Sequence, residues 1–432
     1  MSVVIVGGGF AGCAAALSAA KAGVKVTLIE RMDMLLGCGL DGGLMNLNGR
    51  YTAAEELKVM GGGDIFVALE SLTLRRPLLP SQGPYSYIYN IALGERTIRN
   101  LVQSSGVEIQ LESRAIEVEK SGSKIVSVDV KKYDGVSGRQ TARVEGDAFV
   151  DCTGTAGGVE ICTRYGKGCV MCTMRCPAFG DRVSIATKAG AHELMRYRED
   201  GTPGSLSSAV TVNKQTLSPN LRQQLEEKGI MMVPLPEGLV DARRGTFLTN
   251  TNLTEDHVNN MILCDVGYGA KAIGAVYFPL QKLRTVPGFE NARLINPTVG
   301  DWNAVRFVSM APRDDALKVD GFKNLFCAGE KSGPMVGICE AIVTGTLAGH
   351  NAARVVFGME PLKLPRATVI GDLIAYTNEL IRKQNVKLGY SFQGGPYFEI
   401  MKKTGLYTED KDLIERRVRE AGLKDVFSKK LK

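Results

Sequence analysis

The strongest constraint on this chain lies in its first thirty residues. Ser2-Val3-Val4-Ile5-Val6 is a short apolar run of β-branched character, and Gly7-Gly8-Gly9-Phe10-Ala11-Gly12 follows at once. An alanine-rich, proline-free stretch continues to Gly23, and Lys25 to Glu30 (KVTLIE) reads as a second strand ending in an acid. Strand, Gly-x-Gly-x-x-Gly, helix, strand, acid is the dinucleotide-binding fingerprint in its full context. Gly7 permits the tight turn, Gly9 lets the backbone approach a pyrophosphate, and Gly12 lets helix and strand pack closely. The amides of Phe10 and Ala11 open the helix, where the dipole favours negative charge. Glu30 is placed to accept hydrogen bonds from a ribose, with Arg31 beside it in the cofactor set. The bland alternative is a glycine-rich turn with no ligand.

Later segments repeat the theme. Ala148-Phe-Val-Asp-Cys152-Thr-Gly154 is an apolar strand running into Thr-Gly, a second signature of two-dinucleotide-domain flavoproteins. Asn324-Leu-Phe-Cys-Ala-Gly329-Glu330 is a strand ending in Ala-Gly-acid. Lys331 to Gly337 and a helix from about Ile338 to Val355 follow it. In flavoproteins this third signature places the acid on the ribityl chain and points the helix N-terminus at the pyrimidine edge of the ring, where it stabilises negative charge. FAD rather than NAD is therefore the expected resident dinucleotide. No second Gly-x-Gly-x-x-Gly occurs, so NAD(P)H is expected only as a transient reductant.

These signatures predict an α/β fold: a Rossmann-like FAD-binding domain of the GR2 flavoprotein type with an inserted α+β substrate domain. The expected division is 1–155 for the first part of the FAD-binding domain, 156–285 for the insert, 286–360 for its second part and 361–432 for a C-terminal helical cap. Within the first part, Ile91–Ser105 reads as an amphipathic helix, 107–111 as a strand, and 115–119, 124–131 and 140–143 as a β-meander. Within the insert, 191–198 and 218–228 read as helices, and Thr254 opens another with capping-box character. His192, His257 and His350 read as surface, helix-end and structural histidines. The tail from Glu415 reads as a solvated mixed-charge helix.

Cys38 sits between Gly37 and Gly39 in a loop leaving the second strand. It is either a thiol beside a flavin ring, with nucleophilic or redox capacity, or a small filler. Cys162-x6-Cys169-x2-Cys172-x3-Cys176-Pro177 carries three cysteines in the spacing of the bacterial ferredoxin run, with Cys162 displaced. Four thiolates in fifteen residues could hold a [4Fe-4S] cluster or, less readily, zinc. A redox dithiol and inert thiols are the alternatives. Ten cysteines in a chain of this kind are better explained by such roles than by a disulfide framework.

Composition adds bounds. The chain's 432 residues suffice for two or three domains. A net charge of +7 permits an acidic partner without demanding one. No apolar run approaches membrane-spanning length, and a strand starting at residue 2 leaves no room for a signal peptide, so a cytoplasmic protein with no membrane partner is expected. A homodimer is the base-rate expectation.

The chain resembles the GidA/TrmFO group of FAD proteins, which modify tRNA uracils. The resemblance rests on Val3 to Gly12, the Cys38 loop with Gly42-Gly43, Val286-Pro-Gly-Phe-Glu-Asn-Ala292, Phe326 to Glu330, and Ala341 to Asn351, which fall in the family's order. Its length is similar to the folate-dependent tRNA uracil methyltransferase branch. The resemblance implies a cysteine near the flavin at Cys38, tRNA as partner and methylenetetrahydrofolate as carbon donor. The Cys162–Cys176 cluster has no counterpart there. The general pattern also resembles FAD oxidoreductases related to heterodisulfide reductase subunits, where iron–sulfur centres accompany flavin. The leading expectation is thus an FAD-dependent oxidoreductase passing electrons between flavin and a small-molecule substrate or redox protein, through the cysteine cluster. The rivals are tRNA methyl transfer and an electron-carrier subunit.

Overall fold

A computed structural model describes residues 1–41, 44–45, 48–76, 85–133, 139–154, 180, 182–195, 208–240, 259–265, 269–274, 280–295, 309–335, 337–384, 386, 390–392 and 395–432. Its centre is a five-stranded, wholly parallel sheet. The strand order is Leu325–Cys327, Ala148–Asp151, Ser2–Val6, Lys25–Ile29, Glu108–Gln110. These strands read as apolar runs because helices and sheet cover both faces. The order reverses at Ser2–Val6, so the crevice for a ligand opens at the carboxyl ends of the strands beside it. All three signatures leave the sheet at that end.

Two helices cover one face. Phe10–Ala22 is buried along nearly its whole length, and Ile338–Val356 packs against it. Small residues make that approach possible: a Cβ on Gly345 would overlap the carbonyl oxygen of Ala11, and one on Gly349 that of Ala15. The other face carries the meander, Ser113–Ser121, Lys124–Tyr133 and Arg139–Glu145, as the alternation predicts. Helix Ile91–Ser104 forms where amphipathic spacing places it, capped by the Asn90 side chain on the Ala92 amide.

A separate antiparallel sheet, ordered Ser208–Val212, Ala270–Gly274, Asn260–Asp265, Ile230–Pro234, has its own core with helix Pro219–Lys228. Ser218 caps that helix, as its sequence suggests. The sheet meets the first part of the chain where Ile230, Ile262 and Cys264 pack on Ile88. Arg75 adds a tie by donating to the carbonyls of Glu226 and Glu227 at 3.1 and 3.2 Å, capping the helix C-terminus.

One helix is misplaced by sequence reasoning. The stretch beginning at Ala191 is not helical over its described part. The helix is Ile185–Ala189, ended by Gly190 at φ +98°, and Leu194–Met195 pairs antiparallel with Ser309–Met310. The cause is long-range: the Glu193 side chain is drawn inward to a buried lysine, which holds the segment extended. The segment of Thr254 and His257 lies outside the described residues.

Helix Val369–Arg382 is tied to the loop after the third signature through Arg313, and helix Lys411–Glu420 packs on Asn48–Val59. The last residues run to the far end of the fingerprint helix, where the Leu431 amide donates to the Ala22 carbonyl at 3.1 Å. No helix among the described residues is long and apolar enough to cross a membrane.

His350 is structural in placement. Its ring is 0 % exposed, stands edge-on to Phe427 at 5.2 Å, and neither nitrogen has a hydrogen-bond partner among the described residues. Burial, with Arg354 nearby, pushes its pKa down to about 4. The folded ring therefore stays neutral while the unfolded chain takes up a proton near the ordinary value of about 6.5. Stability is intact above that value and lost as pH falls from about 6.5 toward 4, by up to about 3 kcal/mol. His350→Phe is expected to flatten this part of the profile of urea midpoints against pH; an unchanged slope would count against it.

Candidate functional site

The fingerprint loop is built as its residue types demand. Gly7 sits at φ +102°, donates its amide to the Ile29 carbonyl at 2.8 Å, and has no room for a Cβ because the Cys152 carbonyl lies there. Gly12 is equally closed, by the carbonyl of Gly7. Gly9 differs. It caps the helix in ordinary extended conformation, and a Cβ built on it meets nothing nearer than the Leu36 carbonyl at 4.0 Å. The first helical turn holds no acidic side chain, and Gly9 at its N-cap offers none to cap it. The amides of a first turn have no intrahelical acceptor, so those of Gly9, Phe10 and Ala11 form a donor set at this end of the helix, bordered by Leu36, which is bridged to Gly9. A diphosphate fits the donor set.

Glu30 does more than its position suggests. Its two carboxylate oxygens accept from the Gly8 amide at 2.6 Å and the Met32 amide at 2.9 Å, and it is 5 % exposed. The acid thereby clamps the loop to the exit of the second strand. The Arg31 guanidinium donates to the Gly180 carbonyl at 2.6 Å, across to the segment beyond Gly154.

Cys38 lies in the 3-10 turn Gly37–Asp41, directly over the fingerprint loop. The Leu36 amide donates to the Gly8 carbonyl at 2.7 Å, Leu36 forms a bridge with Gly9, and the Phe10 ring fills the space beneath Gly39. Leu36 is buried at φ +71°, a strained conformation for a branched residue. Glu95 braces it, accepting from the Leu35 amide at 3.0 Å while Arg99 holds the carboxylate. The Cys38 side chain itself lies outside the described residues.

The other two signatures converge here. Gly154, at φ +73°, follows the second and stands beside the Arg182 guanidinium. Gly329 and Glu330 lie in the turn Gly329–Ser332; the Gly329 amide donates to Thr344 Oγ1 at 2.9 Å, and its α-carbon faces Ala11. Gly337 and Ile338 open the long helix, with no side chain capping it. A Cβ on Gly337 would overlap the Arg50 guanidinium. Arg50 is paired with Glu340 at 3.5 Å, and Glu340 also accepts from Ser391 Oγ at 2.6 Å and the Phe392 amide at 2.8 Å.

Sequence reasoning misses the polar interior behind these turns. Asp151, the last residue of its strand, accepts from Thr153 and from the Ala186 amide at 2.9 Å, and Ser184 Oγ, 3.0 Å away, shares its one proton between Asp151 and Glu193. Glu193 accepts from Ser184, Ser309 and the Lys331 ammonium. Burial alone would push the Glu193 carboxyl up, but Lys331 and the hydroxyl donors together hold it below the usual range. Arg313, wholly buried, donates to the carbonyls of Ser332 at 2.7 Å and Ile374 at 2.9 Å and to Thr377 Oγ1 at 2.9 Å. The available sequence signal is a lysine set directly after Ala-Gly-Glu in an otherwise apolar and glycine-rich stretch.

The cysteines divide cleanly. Cys13, Cys152, Cys264, Cys327 and Cys339 are buried free thiols. Burial pushes each of them up, Cys264 to about 12 against the pull of Lys271, so none is a ready thiolate. Cys162, Cys169, Cys172 and Cys176 lie outside the described residues. Among the described residues no group of three or more His, Cys, Asp or Glu side chains is placed to hold a metal.

Comparison with known proteins agrees with this geometry. Residues 2–161 match the FAD dependent oxidoreductase family model, and residues 278–360 match that of Glucose inhibited division protein A. The methylenetetrahydrofolate–tRNA-(uracil-5-)-methyltransferase TrmFO of Koribacter versatilis is 29% identical over 198 residues, 44% of this chain and 42% of that one. The chain thus spans less than half the length of that relative. The TrmFO of Crocosphaera subtropica is 26% identical over 412 residues, covering 87% of this chain and 85% of the other. Among solved structures, GidA of Aquifex aeolicus superposes with a TM-score of 0.59 at 15% identity, over 97% of this chain and 78% of that one, a likeness of fold.

Proposed function

From the likeness of the chain to the FAD dependent oxidoreductase and Glucose inhibited division protein A families, we propose that it is a GidA/TrmFO-like flavoprotein that binds FAD at the crevice of its parallel sheet and passes electrons between that flavin and a substrate. One observation carries the reading. Gly7 and Gly12 are closed by neighbouring backbone, whereas a Cβ on Gly9 would meet only the Leu36 carbonyl, at 4.0 Å, at a helix N-terminus whose cap residue carries no side chain. Bound FAD would supply one- or two-electron chemistry at its ring. Gly9, Phe10 and Ala11 would hold the diphosphate with backbone amides. Glu30, which already orients the loop, would take the adenosine ribose on its remaining lone pairs. Glu330 would take the ribityl chain, Gly154 would leave room for the cofactor, and the helix opening at Gly337 and Ile338 would favour negative charge at the ring. The Cys38 turn would cover the cofactor.

The test compares two glycines. Gly9→Val is expected to fold with stability within about 1 kcal/mol of the parent, since its backbone angles suit any residue, and to lose flavin affinity by about tenfold or more. Gly12→Ala is expected to lose stability as well, because its methyl group has no room. Full flavin retention by Gly9→Val would overturn the placement.

A second reading has the Crocosphaera relative in its favour, since that protein aligns along most of this chain. It is flavin-dependent methylation of tRNA uracil with methylenetetrahydrofolate and NAD(P)H in the cytoplasm. Formation of 5-methyluridine in bulk tRNA by the purified protein would select it. An iron–sulfur relay through Cys162, Cys169, Cys172 and Cys176 is tested by iron and sulfide content after anaerobic purification; stoichiometric FAD with no iron would remove it.

A further inference from the structure

Lys331 and Glu193 form an ion pair sealed from solvent on both sides, each side chain 0 % exposed, with the ammonium 3.0 and 2.8 Å from the two carboxylate oxygens. Such a pair seldom stabilises a fold beyond what well-packed apolar side chains would do, because desolvation offsets the attraction. Its location is informative. Lys331 directly follows Glu330 in the turn Gly329–Ser332, and its carbonyl accepts from the Ala311 amide at 2.8 Å. Glu193 comes from the segment that returns after Gly154. Ser309 and Ser184 donate to it, and Ser184 also reaches Asp151 at the end of the strand leading into Gly154. The pair therefore ties the turn that follows Leu325–Cys327 to the segment at Leu194 and, through Ser184, to the end of the adjacent parallel strand Ala148–Asp151, at the end of the sheet where the crevice opens.

We propose that Lys331 and Glu193 are positioning residues of the flavin site, locking the Gly329–Ser332 turn in place and contributing to the electrostatic field that sets the reduction potential of the bound flavin. This rests on the FAD reading above. A fixed charge in a dry interior acts over distances that water would screen. The two residues cancel in net charge, so removing either leaves a buried charge of one sign behind the turn. A cation left there favours the reduced, more negative flavin, and an anion disfavours it.

The experiment measures flavin content and midpoint potential by dye-coupled titration in the parent and in Glu193→Gln, Lys331→Met and the double variant Lys331→Met with Glu193→Leu. Glu193→Gln is expected to raise the potential and Lys331→Met to lower it, each shifting the oxidised-to-reduced ratio at fixed poise by roughly tenfold. The apolar double variant is expected to restore stability but not the affinity for FAD given by the locked turn. Single variants that shift the potential in the same direction, or not at all, with flavin bound would overturn the electrostatic role. Parent-like affinity and potential in the double variant would reduce the pair to packing. Lys331→Arg retains the charge and is expected to keep the parental potential; it decides the case if the other variants fold poorly, since a shifted potential there overturns the proposal. A parent protein that binds no FAD refutes the FAD reading itself, and is thereby distinct from failure of the pair's role.

Discussion

Gly345→Val is expected to destabilise the protein by about 3 kcal/mol or more and to strip it of flavin. The helix Ile338–Val356 touches the fingerprint helix through glycine at this point, and any Cβ on Gly345 overlaps the carbonyl oxygen of Ala11. Backbone cannot rotate away as a flexible side chain does, so the two helices must separate. Overpacking of this kind in a dense core ordinarily costs 1–3 kcal/mol, roughly, and here it also opens contacts along the helix pair. Ala11 belongs to the first turn of the helix whose amides are proposed to hold the diphosphate. Separation therefore disturbs the anion site and the core together. Thermal melts and flavin absorbance of the purified variant check both effects. Gly349→Val, one turn further along against Ala15, should match the loss of stability with less direct effect on flavin.

Arg313→Met is expected to cost about 3 kcal/mol. The guanidinium is wholly buried, and desolvation lowers its pKa to about 10, yet it stays charged at neutral pH. It stabilises through geometry: one planar group reaches the carbonyl of Ser332, the carbonyl of Ile374 and the hydroxyl of Thr377. Methionine fills similar volume but donates nothing, which leaves the Ser332 carbonyl without this donor. Arg313→Lys should recover little, since a single ammonium cannot span three directions. A lower urea midpoint at unchanged slope is the expected result. A midpoint equal to the parent would show that the turn after Glu330 does not depend on the helix Val369–Arg382.

How much of this was legible beforehand follows physical scale. The fingerprint, the meander and the amphipathic helix Ile91–Ser104 are written in neighbouring residues, through glycine spacing, alternation and helical periodicity. The three signatures could be placed at one end of one sheet because parallel strands must return by crossovers. Two features were not legible. Glu193 sits in a run that scans as helix, and its pairing with Lys331 and the strand pairing of Leu194–Met195 with Ser309–Met310, all distant in sequence, hold it extended. The small-residue contact of Gly345 and Gly349 with Ala11 and Ala15 likewise joins distant stretches, each of which alone reads as an ordinary helix.

Neighbouring residues alone suffice for the dinucleotide loop, the parallel sheet it requires and the three turns at one end of that sheet. Each depends on short-range rules: which residues permit a tight turn, a close approach or a β-strand. Packing of distant segments makes Glu30 clamp the loop through Gly8 and Met32, turns five cysteines into inert core thiols, and buries Lys331, Glu193 and Arg313 behind the site. Burial, desolvation and hydrogen-bond partners belong to the packed chain, because they depend on which distant segments exclude water together.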